Sequence, residues 1–177
     1  MSDCENDGMR ILILGGYGVF GGRLAGLLAD EARLTLVIAG RSAERARAFC
    51  AGLKGAATAE AAVFDRAAPV EPQLRPLRPG LVIDAMGPFQ NYGGDPYDII
   101  RAALALGIDY MDFADGTAFV QGIARFDAEA RQRGVFVLSG VSSFPVLTAA
   151  VVRHLAQGFQ QVATITGGIA PSPYAGV

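Results

Sequence analysis

The sequence has few of the residues that build metal centres or disulfide frameworks. Its 177 residues include two cysteines (Cys4 and Cys50), one histidine (His154) and no tryptophan. A zinc site needs a cluster of Cys and His ligands, so we predict no metal site. Two cysteines allow one disulfide, but two reduced thiols in a cytoplasmic protein are the preferred interpretation.

Charge of one sign and long apolar runs are also missing. The chain has 15 basic and 17 acidic residues, a formal net charge of −2. No basic field is therefore available to attract nucleic acid or an anionic membrane. The acidic N-terminal segment lacks the apolar centre of a signal peptide, and no aliphatic run reaches the roughly 20 residues of a membrane span. We expect neither nucleic acid nor membrane as a partner.

Apolar residues are abundant, at 51% of the chain against 18% charged. Strands buried under helices on both faces of a sheet are typically unbroken aliphatic runs. Strands are predicted over 10–14, 34–39, 61–64, 81–85, 108–113 and 135–138, and helices over 18–31, 42–53, 96–106, 117–133 and 145–157. The proline-rich segment 65–80 is predicted as a loop with at most a short helix. This alternation predicts an α/β fold, a Rossmann-type doubly wound parallel sheet of six strands in the order 3-2-1-4-5-6.

The chain divides into three predicted parts. Residues 1–9 form a disordered tail, residues 10–158 the Rossmann domain, and residues 159–177 the start of a truncated second domain. The third part is predicted because the segment after Gly158 has the pattern of one more strand, and a lone strand is not a domain. Apolar surface exposed where the second domain would dock predicts self-association, as in a homodimer.

A glycine-rich corner follows the first predicted strand. Residues 16–21, GYGVFG, fit the GxGxxG pattern between a strand and a helix, within a βαβ unit of the expected length. In that context one glycine makes the tight turn, the next lets the backbone approach a pyrophosphate, and Gly21 lets helix and strand pack closely. Gly15 eases the exit from the strand. The alternative is a glycine-rich turn that binds nothing.

The end of the second predicted strand indicates which dinucleotide is bound. NAD-binding domains carry an acidic residue there, which holds the ribose 2′-hydroxyl. Here Arg41 and Ser42 occupy the place, and a guanidinium can bind a 2′-phosphate through two hydrogen bonds. Arg45, one helical turn further on, is a candidate second cation. The pattern favours NADP(H), with a solvated Arg41 and a helix-capping Ser42 as the alternative.

Three further segments follow the carboxyl ends of later strands. Asp65 can reach the adenine edge or form an Asx turn. Residues 87–89 (Gly87, Pro88, Phe89) lie next to the predicted switch point, where they border the nicotinamide or form an ordinary Gly-Pro turn. Asp112 and Asp115 either face a substrate or cap the helix that begins at Thr117.

The chain also resembles a known family. The segments LILGGYGVFGGRLAGLLA, LVIAGRSAERA, VIDAMGPFQNYG, GIDYMDFADG and GVFVLSGVSSFPVLTAAVV together resemble the NADP-binding domain of saccharopine dehydrogenase-like proteins. The resemblance implies a Rossmann domain followed, in longer members, by an α+β domain for substrate binding and dimerisation. The cofactor-binding residues expected from the motifs and from this resemblance are Gly15, Gly16, Tyr17, Gly18, Val19, Phe20, Arg41, Ser42, Asp65, Gly87, Pro88 and Phe89.

Two functions are consistent with these patterns. The first is an NADP(H)-dependent oxidoreductase, or its cofactor domain, that transfers a hydride between NADP(H) and an imine or carbonyl carbon of an unknown small substrate. The second is a non-catalytic NADP(H)-binding module or sensor. No YxxxK pair is present, since Tyr97 is followed at the fourth position by Arg101, and no catalytic residue is assigned.

Overall fold

The computed structural model describes residues 8–87, 94–142 and 146–168. The strands in these ranges are β1 (Met9–Leu14), β2 (Leu34–Gly40), β3 (Thr58–Val63), β4 (Leu81–Asp84), β5 (Asp109–Asp112) and β6 (Val137–Leu138). The α-helices are α1 (Val19–Leu28), α2 (Ala43–Gly52), α3 (Val70–Leu77), α4 (Asp98–Leu106), α5 (Thr117–Gly122), α6 (Asp127–Arg133) and α7 (Thr148–Leu155). A 3₁₀ turn, Ile123–Phe126, connects α5 to α6.

The six strands form one sheet in the order β3-β2-β1-β4-β5-β6, and every neighbouring pair is parallel. The predicted fold class and strand order are confirmed. Because the strands are parallel, their carboxyl ends meet at one edge of the sheet. The order in which strands are added to the sheet reverses between β1 and β4, where Leu14 is in register with Asp84. Doubly wound sheets bind ligands in the crevice outside such a reversal.

Alternate residues of the central strand supply two separate cores. Leu12 and Leu14 face one side of the sheet, where they join the larger cluster with residues of α3, α4, α5 and α6. Ile11 and Ile13 face the other side, packed with Ala25 of α1 and side chains of α2. All four β1 side chains are 5% exposed or less. Burial on both faces explains why this strand is an unbroken aliphatic run.

The third strand and the proline-rich segment differ in the structure from the bounds predicted for them, and their positions in the fold explain why. The third strand begins at Thr58 and not at Ala61, since an edge strand tolerates polar residues such as Glu60. Glu60 pairs with Arg10 of β1 at 2.6 Å. The proline-rich segment 65–80 contains the eight-residue helix α3. Pro72 lies in its first turn, where a helix does not need the missing N–H group.

The helix predicted over 117–133 is divided into α5, the 3₁₀ turn and α6. The break occurs at Gly122, where an added Cβ would lie 2.0 Å from the Tyr97 hydroxyl oxygen. That hydroxyl donates a hydrogen bond to the Phe119 carbonyl, at 3.2 Å. Tyr97 of the α4 N-terminus therefore occupies the space beside the end of α5.

The prediction of a strand after Gly158 is wrong for the described residues, which end at residue 168. Residues 161–168 have no regular secondary structure, and α7 before them has no buried residue. An extended segment forms a strand only beside a partner that takes its hydrogen bonds, and the sheet ends at the two-residue β6. In the described part of the chain, every helix is too short or too polar to cross a membrane.

Candidate cofactor-binding site

The turn between β1 and α1 is attached to the end of β2. The Gly15 and Gly16 N–H groups both donate to the Ala39 carbonyl, at 2.9 and 3.1 Å. The Gly18 N–H group donates to the Gly15 carbonyl at 2.8 Å. Gly15 has a φ of +72°, in the region that favours glycine. The backbone conformation of the turn is thereby fixed.

Two of the glycines are needed for close packing. A Cβ on Gly21 would lie 2.4 Å from the Gly15 carbonyl oxygen. A Cβ on Gly16 would lie 2.8 Å from the Ile13 carbonyl oxygen and 3.0 Å from the Ile38 Cγ2. Gly21 therefore brings α1 close to the turn, as expected, while the buried Gly16 packs against β2 and does not face the cleft.

The N-terminus of α1 is suited to an anion. Gly18 is its N-cap and supplies no side-chain hydrogen bond, and the first turn has no acidic residue. Such a terminus leaves backbone N–H groups available and carries the positive end of the helix dipole. Together with the exposed Gly18, it has the chemistry that a pyrophosphate requires.

A cleft of about 740 Å³ opens at the carboxyl edge of the sheet, at the crossing between β1 and β4. Its described lining residues are Gly15, Tyr17, Gly18, Gly40, Arg41, Arg45, Asp65, Arg66, Ala67, Ala85, Met86, Gly87, Gly94, Asp95 and Asp98. They come from the turn after β1 and from the segments that follow β2, β3 and β4. The predicted residues Gly15, Tyr17, Gly18, Arg41, Asp65 and Gly87 are thus brought together.

Two arginines give the β2 end of the cleft its positive charge. Arg41 follows β2 directly, and Arg45 lies in the first turn of α2. Among the described residues, no carboxylate forms an ion pair with either guanidinium. The Ser42 Oγ accepts the Arg45 N–H at 3.2 Å, so it caps α2, and Ser42 is not among the lining residues.

Tyr17 extends from the glycine turn to the same corner. Its hydroxyl oxygen accepts the Ser42 N–H at 2.9 Å. The Arg45 Cζ lies 4.8 Å from the centre of the Tyr17 ring. Tyr17 thus lies against the β2–α2 corner.

The remaining predicted residues have varied environments. Asp65 lines the cleft, and its Oδ1 also accepts the Ala67 N–H at 3.0 Å, as in an Asx turn. Val19 and Phe20 are each 70% exposed and do not line the cleft. Pro88 and Phe89 lie outside the described residues.

A buried ion pair beside the cleft was missed by the sequence reasoning. The Asp84 Oδ2 accepts a hydrogen bond from Arg66 Nη1 at 2.9 Å, and its Oδ1 accepts the Met86 N–H at 2.9 Å. Asp84 is fully buried, and burial raises the pKa of its carboxyl to about 6, against the opposing effect of Arg66. The available signal was an aspartate that ends the aliphatic run LVID.

Asp112 has neither of the roles considered for it. It is fully buried, and its Oδ1 accepts hydrogen bonds from the Ala114 and Gly140 N–H groups and from the Ser139 hydroxyl, at 2.8 to 2.9 Å. The N-cap of α5 is Gly116, without a side-chain hydrogen bond. Asp112 therefore holds the loop after β6 against the end of β5. Within the described residues, no group of His, Cys, Asp or Glu could hold a metal ion.

The sheet is parallel and has the strand order of a Rossmann fold, with a glycine turn and a helix N-terminus where that order reverses. These features define a Rossmann-type dinucleotide-binding domain. The model of the saccharopine dehydrogenase NADP-binding domain matches residues 11–138. The chain belongs to that family.

Solved structures show the same fold at low sequence identity. Apo saccharopine dehydrogenase (L-Glu forming) from Saccharomyces cerevisiae is 15% identical, with a TM-score of 0.65 over 85% of this chain and 32% of that chain. The WlbA (WbpB) dehydrogenase from Thermus thermophilus, in complex with NAD and UDP-GlcNAcA, is 20% identical, with a TM-score of 0.59 over 84% and 47%. An NAD-binding oxidoreductase from Klebsiella pneumoniae is 19% identical, with a TM-score of 0.51 over 84% and 39%.

The matched region is less than half of each of these three proteins, and about a third of the yeast enzyme. A comparison with curated proteins found no match.

Proposed function

We propose that this chain binds NADP(H) and serves as the cofactor domain of an oxidoreductase that transfers a hydride between the cofactor and an imine or carbonyl carbon. The main support is the β2 end of the cleft, where Arg41 lacks a carboxylate partner among the described residues and the strand ends in Gly40. A 2′-phosphate is attracted by such a cation and repelled by the carboxylate that NAD-binding domains place there.

In this proposal, different parts of the cleft would bind different parts of the dinucleotide. The Gly15–Gly18 turn and the N-terminus of α1 would hold the pyrophosphate, with the adenosine phosphate at Arg41 and Arg45. Gly87 would lie on the nicotinamide side, and an added Cβ there would meet no described atom within 4 Å. When bound, the nicotinamide supplies or accepts the hydride, while the residues of this chain bind and orient it. We propose that much of the substrate pocket comes from a further domain.

Titration of the protein with NADPH and NADH, followed by fluorescence, tests cofactor binding and preference. The key variant is Arg41→Asp, which puts a negative charge beside the proposed 2′-phosphate. We expect it to weaken NADPH binding by about 1.5–3 kcal/mol, as for a lost hydrogen bond to a charged group, and to change NADH binding little. Arg47→Asp is the matched control, because Arg47 is exposed on α2 but does not line the cleft.

Two results would count against the proposal at different points. Millimolar or weaker binding of both dinucleotides by the wild-type protein would reject the cofactor assignment. An unchanged NADPH:NADH preference in Arg41→Asp would reject the role of Arg41 alone.

A further inference from the structure

We infer that Tyr17 is a positioning residue for cofactor preference, which keeps the end of β2 free of a carboxylate and holds Arg45 beside the 2′-phosphate. The inference rests on the proposed NADP(H) function. It concerns how the chain selects the phosphorylated dinucleotide over the unphosphorylated one. The aromatic residue inside the glycine motif is thereby given a role distinct from that of the glycines.

The first step concerns the space beside Gly40, the last residue of β2. A Cβ on Gly40 would lie 2.5 Å from the Tyr17 hydroxyl oxygen, and 2.6 and 2.7 Å from ring atoms Cζ and Cε1. Contacts this short do not occur, so no side chain fits at position 40 while Tyr17 keeps its place. The carboxylate that binds the ribose diol in NAD-binding domains stands at the end of this strand. Tyr17 therefore sterically excludes a carboxylate from position 40, the last residue of the strand, and Arg41 occupies the next position.

The second step concerns what holds Tyr17 there. Its hydroxyl accepts the backbone N–H of Ser42 at 2.9 Å, in a half-buried position. The ring is thereby attached to the first residues after β2. Because the backbone N–H of Ser42 is bonded to Tyr17, it is not available to a phosphate at this corner, where the side chains of Arg41 and Arg45 carry the positive charge.

The third step concerns Arg45. Its guanidinium lies over the Tyr17 ring at 4.8 Å, and no carboxylate in the described ranges pairs with it. A cation over an aromatic face is held in place without losing its charge. Arg45 and Arg41 both line the cleft, so two cations are available for a phosphate that carries up to two negative charges. The ring fixes where the second cation lies.

The first experiment compares dissociation constants of NADPH and NADH for the wild type, Tyr17→Phe, Tyr17→Leu and Arg45→Ala. Tyr17→Phe keeps the ring under Arg45 but loses the hydrogen bond to Ser42, so we expect it to lower the preference for NADPH less than Tyr17→Leu does. Tyr17→Leu and Arg45→Ala each remove the cation–ring contact and should lower the preference for NADPH by about 3- to 30-fold, with NADH binding little changed. The double variant Tyr17→Leu/Arg45→Ala should lose no more than either single variant, because both act through one contact.

The second experiment tests the steric step. Gly40→Asp alone should destabilise the fold, as measured by urea unfolding. Tyr17→Ala/Gly40→Asp should recover stability and bind NADH more tightly than NADPH. This reversal is a result that a purely structural role for Tyr17 would not produce.

The outcomes separate this inference from the proposed function. If the wild type binds neither dinucleotide, the proposed function is rejected. If the wild type prefers NADPH and either Arg45→Ala or Tyr17→Leu keeps that preference, the role of Tyr17 is overturned while the proposed function stands. Wild-type stability of Gly40→Asp would overturn the steric step.

Discussion

At the carboxyl end of β4, a carboxylate lies in a position as buried as the aliphatic residues that precede it. Asp84 has no exposed surface, while the side chain of its partner Arg66 is 21% exposed. Arg66 lines the cleft, so this ion pair extends from the solvent-accessible wall of the cleft to a buried position at the end of β4. Burial of an ion makes its ionised form costly, and a single partner offsets only part of that cost. The protonation state of Asp84 should therefore affect stability.

The residue-scale prediction is a pH dependence of stability that is lost in Asp84→Asn. The pKa of Asp84 is raised from 3.8 to about 6 in the folded state. Between about pH 4 and 6 the folded protein holds a proton that the unfolded chain has lost, so the wild type loses stability as pH rises through this window. Relative to Asp84→Asn, the loss should approach about 2–3 kcal/mol by pH 7.

Urea unfolding of both proteins from pH 4 to 7 measures this difference. Asp30→Asn, which alters an exposed carboxylate, is the control and should follow the wild type. A wild-type minus Asp84→Asn difference that is constant over the whole range would contradict the prediction.

At the scale of the element, two of the three glycines of α1 have opposite requirements. Gly21 touches the turn, so an added Cβ would lie 2.4 Å from the Gly15 carbonyl oxygen, whereas a Cβ on Gly26 would meet no atom of the described residues within 4 Å. Alanine is the better helix former by about 1 kcal/mol. We expect Gly26→Ala to stabilise the protein by about 0.5–1 kcal/mol and Gly21→Ala to destabilise it.

Thermal and urea unfolding of the two variants provide the comparison, and each serves as the control for the other. If both variants changed the free energy of unfolding by the same amount and in the same direction, the glycine turn would be able to shift and make room for a methyl group at position 21. The NADPH affinity of Gly21→Ala should fall as well, since the turn proposed to hold the pyrophosphate would have to shift.

Helix α2 depends on its first residues in a simpler way. Ser42 caps the helix through the hydrogen bond of its Oγ with the Arg45 N–H group. Ser42→Ala should cost about 0.5–2 kcal/mol of unfolding free energy, while Ser42→Asp keeps a capping oxygen and should remain near the wild type. Urea unfolding checks both variants. If Ser42→Ala unfolded with the same free energy as the wild type, the hydrogen bond of the cap would contribute little to stability.

At the scale of the whole molecule, the chain after β6 contributes little to the core. Among the described residues, neither core cluster includes any residue beyond Val137. Leu147, Leu155 and Phe159 are each more than 60% exposed. We expect a chain that ends at Ser142 to have a free energy of unfolding within about 1 kcal/mol of that of the 177-residue chain. Changes away from a core usually alter this free energy little. A loss of several kcal/mol in urea unfolding would contradict this expectation.

Features that depend on residues close together in the sequence could be predicted from it. Strand β1 was recognisable because both of its faces are buried, and the glycine turn because strand, turn and helix are contiguous. The break at Gly122 depends on Tyr97, and the burial of Asp84 depends on Arg66 from another loop. Such contacts between distant segments leave no periodic pattern. Likewise, nothing local to Gly40 shows that Tyr17 fills the space beside it.

The position of β1 has a consequence for synthesis on the ribosome. This strand is made before the other five strands of the sheet but lies at its middle, between β2 and β4. Its β2 side can pair early, whereas its other side has no native partner until Asp84 has been made. In that interval a nascent chain carries an aliphatic strand with open backbone groups, the state most prone to incorrect pairing. The side of β1 that pairs with β4 therefore needs protection from incorrect pairing until β4 has been made.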